Sequence, residues 1–162
     1  MTPGEGALGA LEASGLAREM REALWLYPAV EIVHIVGLAI LVGSIAMFDL
    51  RVLGVARSLP VRAVARFLLP WTIGSLVLIV PTGLAMFATH ASDFIGNPAF
   101  ITKMVLLLIA GTNAALFHVG VYQRAAMWDT VVRAPALAQL QAVVSLLLWV
   151  GVISCGRLIA YL

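Results

Sequence analysis

Six ionisable side chains, Glu31, His34, His90, Lys103, His118 and Arg157, lie in or at the edges of long apolar runs. Imidazole can ligate a metal or carry a proton, and its charge changes near neutral pH. Guanidinium and ammonium groups neutralise carboxylates, the guanidinium with matched two-bond geometry. Glu31 and His34 stand one helical turn apart, so they share a face, which Gly37, Leu41 and Ser44 continue. Its small groups would admit a neighbouring helix or a flat ligand. Lys103, Leu107, Ala114 and His118 fall on one side of a later run, with Gly111 and Ala115 allowing close packing. Thr72, Ser75, Thr82, Met86 and His90 form a looser polar stripe on a third.

The elements that must position these groups follow from composition. The chain has 162 residues, 62% hydrophobic and 11% charged, with a mean hydropathy of +1.05. Soluble domains carry roughly 25% charged residues, so this chain lacks the polar surface to coat a globule in water and its solvent is lipid. Spanning a bilayer takes about 20 apolar residues at about 1.5 Å each. Four segments qualify, near 29–48, 67–88, 99–121 and 137–162, and the short loops between them predict an antiparallel four-helix bundle. Residues 28–162 therefore form an all-α, integral membrane domain. Residues 1–27 mix Glu5, Glu12, Glu19 and Glu22 with Arg18, Arg21 and spaced leucines, which predicts an interfacial amphipathic helix. Acids precede the apolar residues there, unlike a secretory signal. Trp25 and Tyr27 follow where an aromatic belt belongs.

Arginine placement sets the orientation. Arg51, Arg57, Arg62 and Arg66 surround the first loop, and Arg124 and Arg133 the third. The positive-inside rule puts those loops in the cytoplasm and both termini outside, as expected of a multi-pass protein of a bacterial cytoplasmic membrane. Glu31, His34, His90, Lys103 and Arg157 then meet at one outer level, while His118 lies toward the cytoplasmic end with Asp49 and Arg51 as neighbours. His34 and His118 differ in depth by about 20 Å at 1.5 Å per residue. His90 is a nearer partner for His34.

Several classes drop out. Cys155 is the single cysteine, so no internal disulfide forms. No zinc-type spacing, phosphate-binding glycine loop or nucleophile elbow occurs, and the scattered arginines build no nucleic-acid face. No residue is assigned a catalytic role.

The stretch LYPAVEIVHIVGLAILVG at 26–43, with its LY-x6-HI opening, resembles the first helix of membrane-bound, haem-binding protoporphyrinogen oxidases. The stretch AFITKMVLLLIAGTNAALFHVG at 99–120 is similar to a later helix of theirs in which a lysine precedes a histidine. A histidine followed by a glycine-bearing helix also resembles copper-resistance D-like membrane proteins. The phrases DLRVLG, LLPW, PTGLAMF, NPAF and LWVGVISCGRLIAY are similar to a family of uncharacterised four-helix bacterial membrane proteins, along nearly the whole chain. The oxidase resemblance implies haem b with His34 as axial metal ligand, Lys103 at its family position and Arg157 on a propionate. It implies an electron-transfer role, with a quinone or a redox protein as partner.

Each residue also has a plainer reading. His34 can be a satisfied intramembrane histidine, His90 a solvated loop residue, and His118 a headgroup or carboxylate partner. Lys103 and Arg157 can snorkel to the interface, and Glu31 can pair with either. On that reading the chain is a non-catalytic scaffold or accessory subunit whose buried ionic network sets helix register. A transporter is the third class, disfavoured because one short bundle has no inverted repeat. The small-residue faces also permit a homo-oligomer.

Overall fold

The computed structural model describes residues 6–130 and 132–161; the start of the amphipathic segment, including Glu5, and the last residue of the fourth span lie outside them. Among the described residues the fold is all-helical. Two short helices, α1 (Ala7–Glu12) and α2 (Gly15–Glu22), precede the long α3 (Leu26–Val52) and α4 (Val61–Thr89). A short α5 (Ala91–Gly96) leads to α6 (Pro98–Val119), and a 3-10 segment at Val121–Met127 precedes α7 (Ala136–Leu158). α3, α4, α6 and α7 are long and apolar enough to cross a membrane. At about 1.5 Å per residue, the 27 residues of α3 reach about 40 Å, beyond a hydrocarbon core of about 30 Å.

Local chemistry sets the helix limits. Asn97 Oδ1 accepts from the Ala99 and Phe100 amides at 2.9 and 3.2 Å, and Pro98 occupies the first turn of α6, where its missing N–H leaves nothing unpaired. α3 runs out at Gly54, whose φ of 105° lies in the left-handed region that glycine adopts without a Cβ penalty. Pro70 and Pro81 both lie inside α4. The Thr82 hydroxyl beside Pro81 donates to Leu78 O at 2.5 Å, holding that turn together.

α3 packs along α4, α6 along α7, and α3 against α7. Gly37 makes the first of these contacts possible: a Cβ there would stand 2.9 Å from Ile79 Cγ1 and 3.2 Å from Leu78 Cβ. Gly37, Leu41 and Ser44 are buried, as their shared face predicts. α4 and α6 close the circuit differently, since none of their described residues approach within 8 Å between Cα atoms. Instead, Phe87 on α4, Phe94 on α5 and Phe100 on α6 bridge them at one end, with ring centroids 5.4 to 6.0 Å apart.

α1 and α2 form a strap over that same end. Ser14 Oγ caps α2 by accepting from the Ala17 amide. Ala17 and Met20 are buried, and α2 lies on α4. Arg21 donates to Thr89 O at 2.8 Å and to Glu12 O at 2.7 Å. The Glu12 carboxylate accepts from the Ser92 amide and hydroxyl at 2.7 and 2.6 Å, bonds that hold its pKa below 4.5. The expected single amphipathic helix is thus a broken pair clamped onto the bundle.

At the opposite, arginine-bearing end, Arg51 is buried and binds backbone carbonyls. It donates to Leu59 O at 2.6 Å, to Arg57 O at 3.3 Å and to Asp129 O. The first and third connections therefore share one end, as an antiparallel bundle requires. An apolar cluster with Val52, Val61, Phe117, Trp128 and Ala138 seals it.

Candidate functional site

The strap end holds the outer group of sequence-derived residues, which converges only in part. His34 is half-buried on α3 and turns inward, with Nδ1 2.9 Å from the Thr82 hydroxyl on α4. Gly83 leaves space for the ring, because a Cβ there would sit 3.2 Å from His34 Cε1. Lys103 is also half-buried, within electrostatic reach of that imidazole, and its Nζ stands 3.7 Å from the place of a Gly156 Cβ. Glu31 is exposed. Arg157, likewise exposed, donates to Tyr161 OH at 2.5 Å and lies 4.9 Å from the centre of its ring. His90 ends α4, exposed, with Nδ1 3.1 Å from Thr89 Oγ1. His34 and Lys103 therefore share the interior, while Glu31, His90 and Arg157 lie on the periphery.

Were a haem to bind at this end, His34 would be its one candidate histidine ligand. Nδ1 of His34 is anchored on Thr82, the arrangement that aims the other ring nitrogen of a ligating histidine at a metal. The other two histidines supply no partner on the far side of an iron. His90 faces Thr89, and His118 lies about 20 Å deeper along the bundle. Among the described residues no three His, Cys, Asp or Glu side chains form a metal cluster.

A second group of polar residues lies toward the arginine-bearing end. A cavity of about 210 Å³ is lined by all four long helices, and its polar lining comprises Ser44, Asp49, Thr72, Asn113, Gln141 and Ser145, together with His118. Asp49 is 7% exposed, and its Oδ2 has no hydrogen-bond partner. Gln141 Oε1 is likewise buried and unpartnered. Ser145 stands within reach of the Asp49 carboxyl, and Asn113 Nδ2 donates to Gln141 O at 3.0 Å, tying α6 to α7. His118 donates through Nδ1–H to its own helix carbonyl, Ala114 O, 2.9 Å away, and its ring lies 5.3 Å from that of Tyr122. Of the neighbours expected for His118, Asp49 lines the same cavity, whereas Arg51 binds the loop carbonyls described above.

In an apolar interior, an oxygen without a donor costs a few kcal/mol, about 1–3 from mutational data. Two such oxygens belong to residues that line one cavity. Attention to ionisable groups alone passed over Asn113, Gln141 and Ser145. A signal was present: Gln141, Ser145 and Trp149 recur every fourth residue, one stripe of α7.

No curated protein and no solved structure matches the chain. A family model does match, over residues 26–162, which takes in all four long helices and leaves out the strap. By that match the chain belongs to DUF6644, a family of unknown function.

Proposed function

We propose that this chain is a membrane-embedded binding protein whose ligand occupies the four-helix cavity and donates hydrogen bonds to Asp49 and Gln141. The pair of unpartnered buried oxygens on the cavity lining carries the reading. The many exposed large hydrophobics on the long helices support burial in lipid. The arginine-bearing end faces the cytoplasm by the positive-inside rule, which leaves the strap outside.

The test is native mass spectrometry of the protein released from its membrane, beside Asp49→Leu and Asp49→Asn. A small molecule retained by the wild type, reduced in Asp49→Asn and lost in Asp49→Leu supports the reading. Equal retention by all three ends it.

A second reading rests on the anchored imidazole of His34: a haem b held by one axial histidine at the strap end, serving electron transfer. Lys103, inside the bundle near that ring, supplies positive charge for a propionate. A Soret band after haem-replete expression, lost in His34→Ala, supports it; absence of the band and of iron removes it.

A further inference from the structure

The cavity has a way in, and its position restricts what can use it. Of the side chains that line the cavity, two are exposed: Leu69 on α4 and Ala114 on α6. They flank the one side of the bundle where neighbouring long helices do not come within 8 Å. The phenylalanine bridge and the strap close this seam at one end. At the other, the buried cluster with Phe117 and Trp128 lies between the cavity and the polar loops, and the 3-10 segment contacts α4. Exposed apolar side chains occur along both helices, among them Val77 on α4 and Leu108 and Ile109 on α6. In a membrane those faces meet acyl chains, not water.

We infer that the ligand of this cavity is a lipid-dissolved amphiphile that enters sideways from the bilayer between α4 and α6, past Leu69 and Ala114. Its head donates hydrogen bonds to Asp49 and Gln141, and its alkyl tail remains in the seam. A cavity of about 210 Å³ takes a head group and the first part of a chain, not a whole lipid. The donor is a protonated amine or a phenolic hydroxyl, and the probes below separate these two. The inference rests on the binding reading given above, with the route as its added content.

The test uses the full chain in nanodiscs, with Trp25→Phe and Trp71→Phe so that Trp149 on the cavity wall reports occupancy over a constant Trp128 background. The probes are dodecylamine, 4-dodecylphenol, dodecanoate and the short-chain butylamine. Saturable quenching or enhancement by dodecylamine or dodecylphenol is expected, with little response to dodecanoate or butylamine. Asp49→Asn should weaken the response to the amine by about tenfold or more, the worth of one charge-assisted hydrogen bond.

The route is tested separately in a Cys155→Ala background carrying Leu69→Cys and Ala114→Cys. Joining the two thiols with a short bifunctional maleimide should slow the onset several-fold relative to the same double variant left unlinked. Ala114→Trp should slow it as well, which gives a second obstruction free of cross-linking. An unchanged onset in both obstructed proteins overturns the lateral route but leaves the cavity as a site. Butylamine binding as well as dodecylamine overturns the amphiphile in the same way. Failure of every probe to bind overturns the site and the route together.

Discussion

Gly37→Ala, set against Gly43→Ala, measures how closely α3 must approach α4. Both glycines lie within α3, so both substitutions bring a similar gain in helix propensity, up to about 1 kcal/mol. Their surroundings differ. A Cβ at position 43 meets nothing within 4 Å, whereas one at position 37 falls 2.9 Å from Ile79 Cγ1 and 3.2 Å from Leu78 Cβ. Carbon atoms prefer about 3.5–4.0 Å, so the new methyl is short by at least about 0.6 Å. Neither contact is the far end of a flexible side chain, and relief requires the helices to part or Ile79 to change rotamer. Overpacking of this kind costs about 1–3 kcal/mol. Since the propensity terms cancel, Gly37→Ala should be less stable than Gly43→Ala by about that amount. Separation of α3 from α4 would also lengthen the bond between His34 and Thr82, which lies one turn away. The assay is reversible unfolding of the detergent-solubilised protein in a graded denaturing detergent, followed by circular dichroism. Equal stability of the two variants refutes the close approach at Gly37 and, with it, the inward placement of His34.

Two further outcomes follow from the helix ends and the strap. Asn97→Ala removes the acceptor for two α6 amides and should cost about 1 kcal/mol in the same assay, with Asn97→Asp retaining most of the stability. The Glu12 pKa is depressed in the folded state, so its contribution is fully present above its ordinary value of 4.5 and declines as pH falls through the lower folded value. Hydrogen exchange at residues 7–22 should therefore accelerate on acidification below pH 4.5, and Glu12→Gln should flatten that dependence at a uniformly weaker strap. Exchange that is independent of pH in the wild type, after correction for intrinsic rates, removes Glu12 as the clamp.

Much of the architecture was legible in residue order. Sustained apolar runs, separated by loops rich in arginine, proline and glycine, specify four long helices, because no shorter or less apolar segment satisfies its backbone inside a hydrocarbon layer. Small residues at Gly37 and Ser44 announced the buried face of α3, since the 3.6-residue period alone places them together. The strap was legible as amphipathic but not as a clamp. Its fixing bonds join Glu12 to Ser92 and Arg21 to Thr89, partners some 80 and 68 positions away that no local pattern connects.

The candidate site divides in the same way. Depth along a helix follows from counting residues, so the strap-end level of His34 and Lys103 and the opposite level of His118 could be read from the chain. Rotation about the bundle axis could not. Whether Glu31 points inward with His34 or outward, and whether Arg157 reaches a neighbour or its own Tyr161, depends on which helix lies beside which. Helix neighbourhood also decides the cavity. Asp49, Asn113 and Gln141 come from three helices far apart in sequence, and their convergence requires α3 to touch α7 while α4 and α6 stand apart. An apolar helix of this kind carries almost no amphipathic bias, so its outward and inward faces are distinguished by the packing of its partners and not by its own composition.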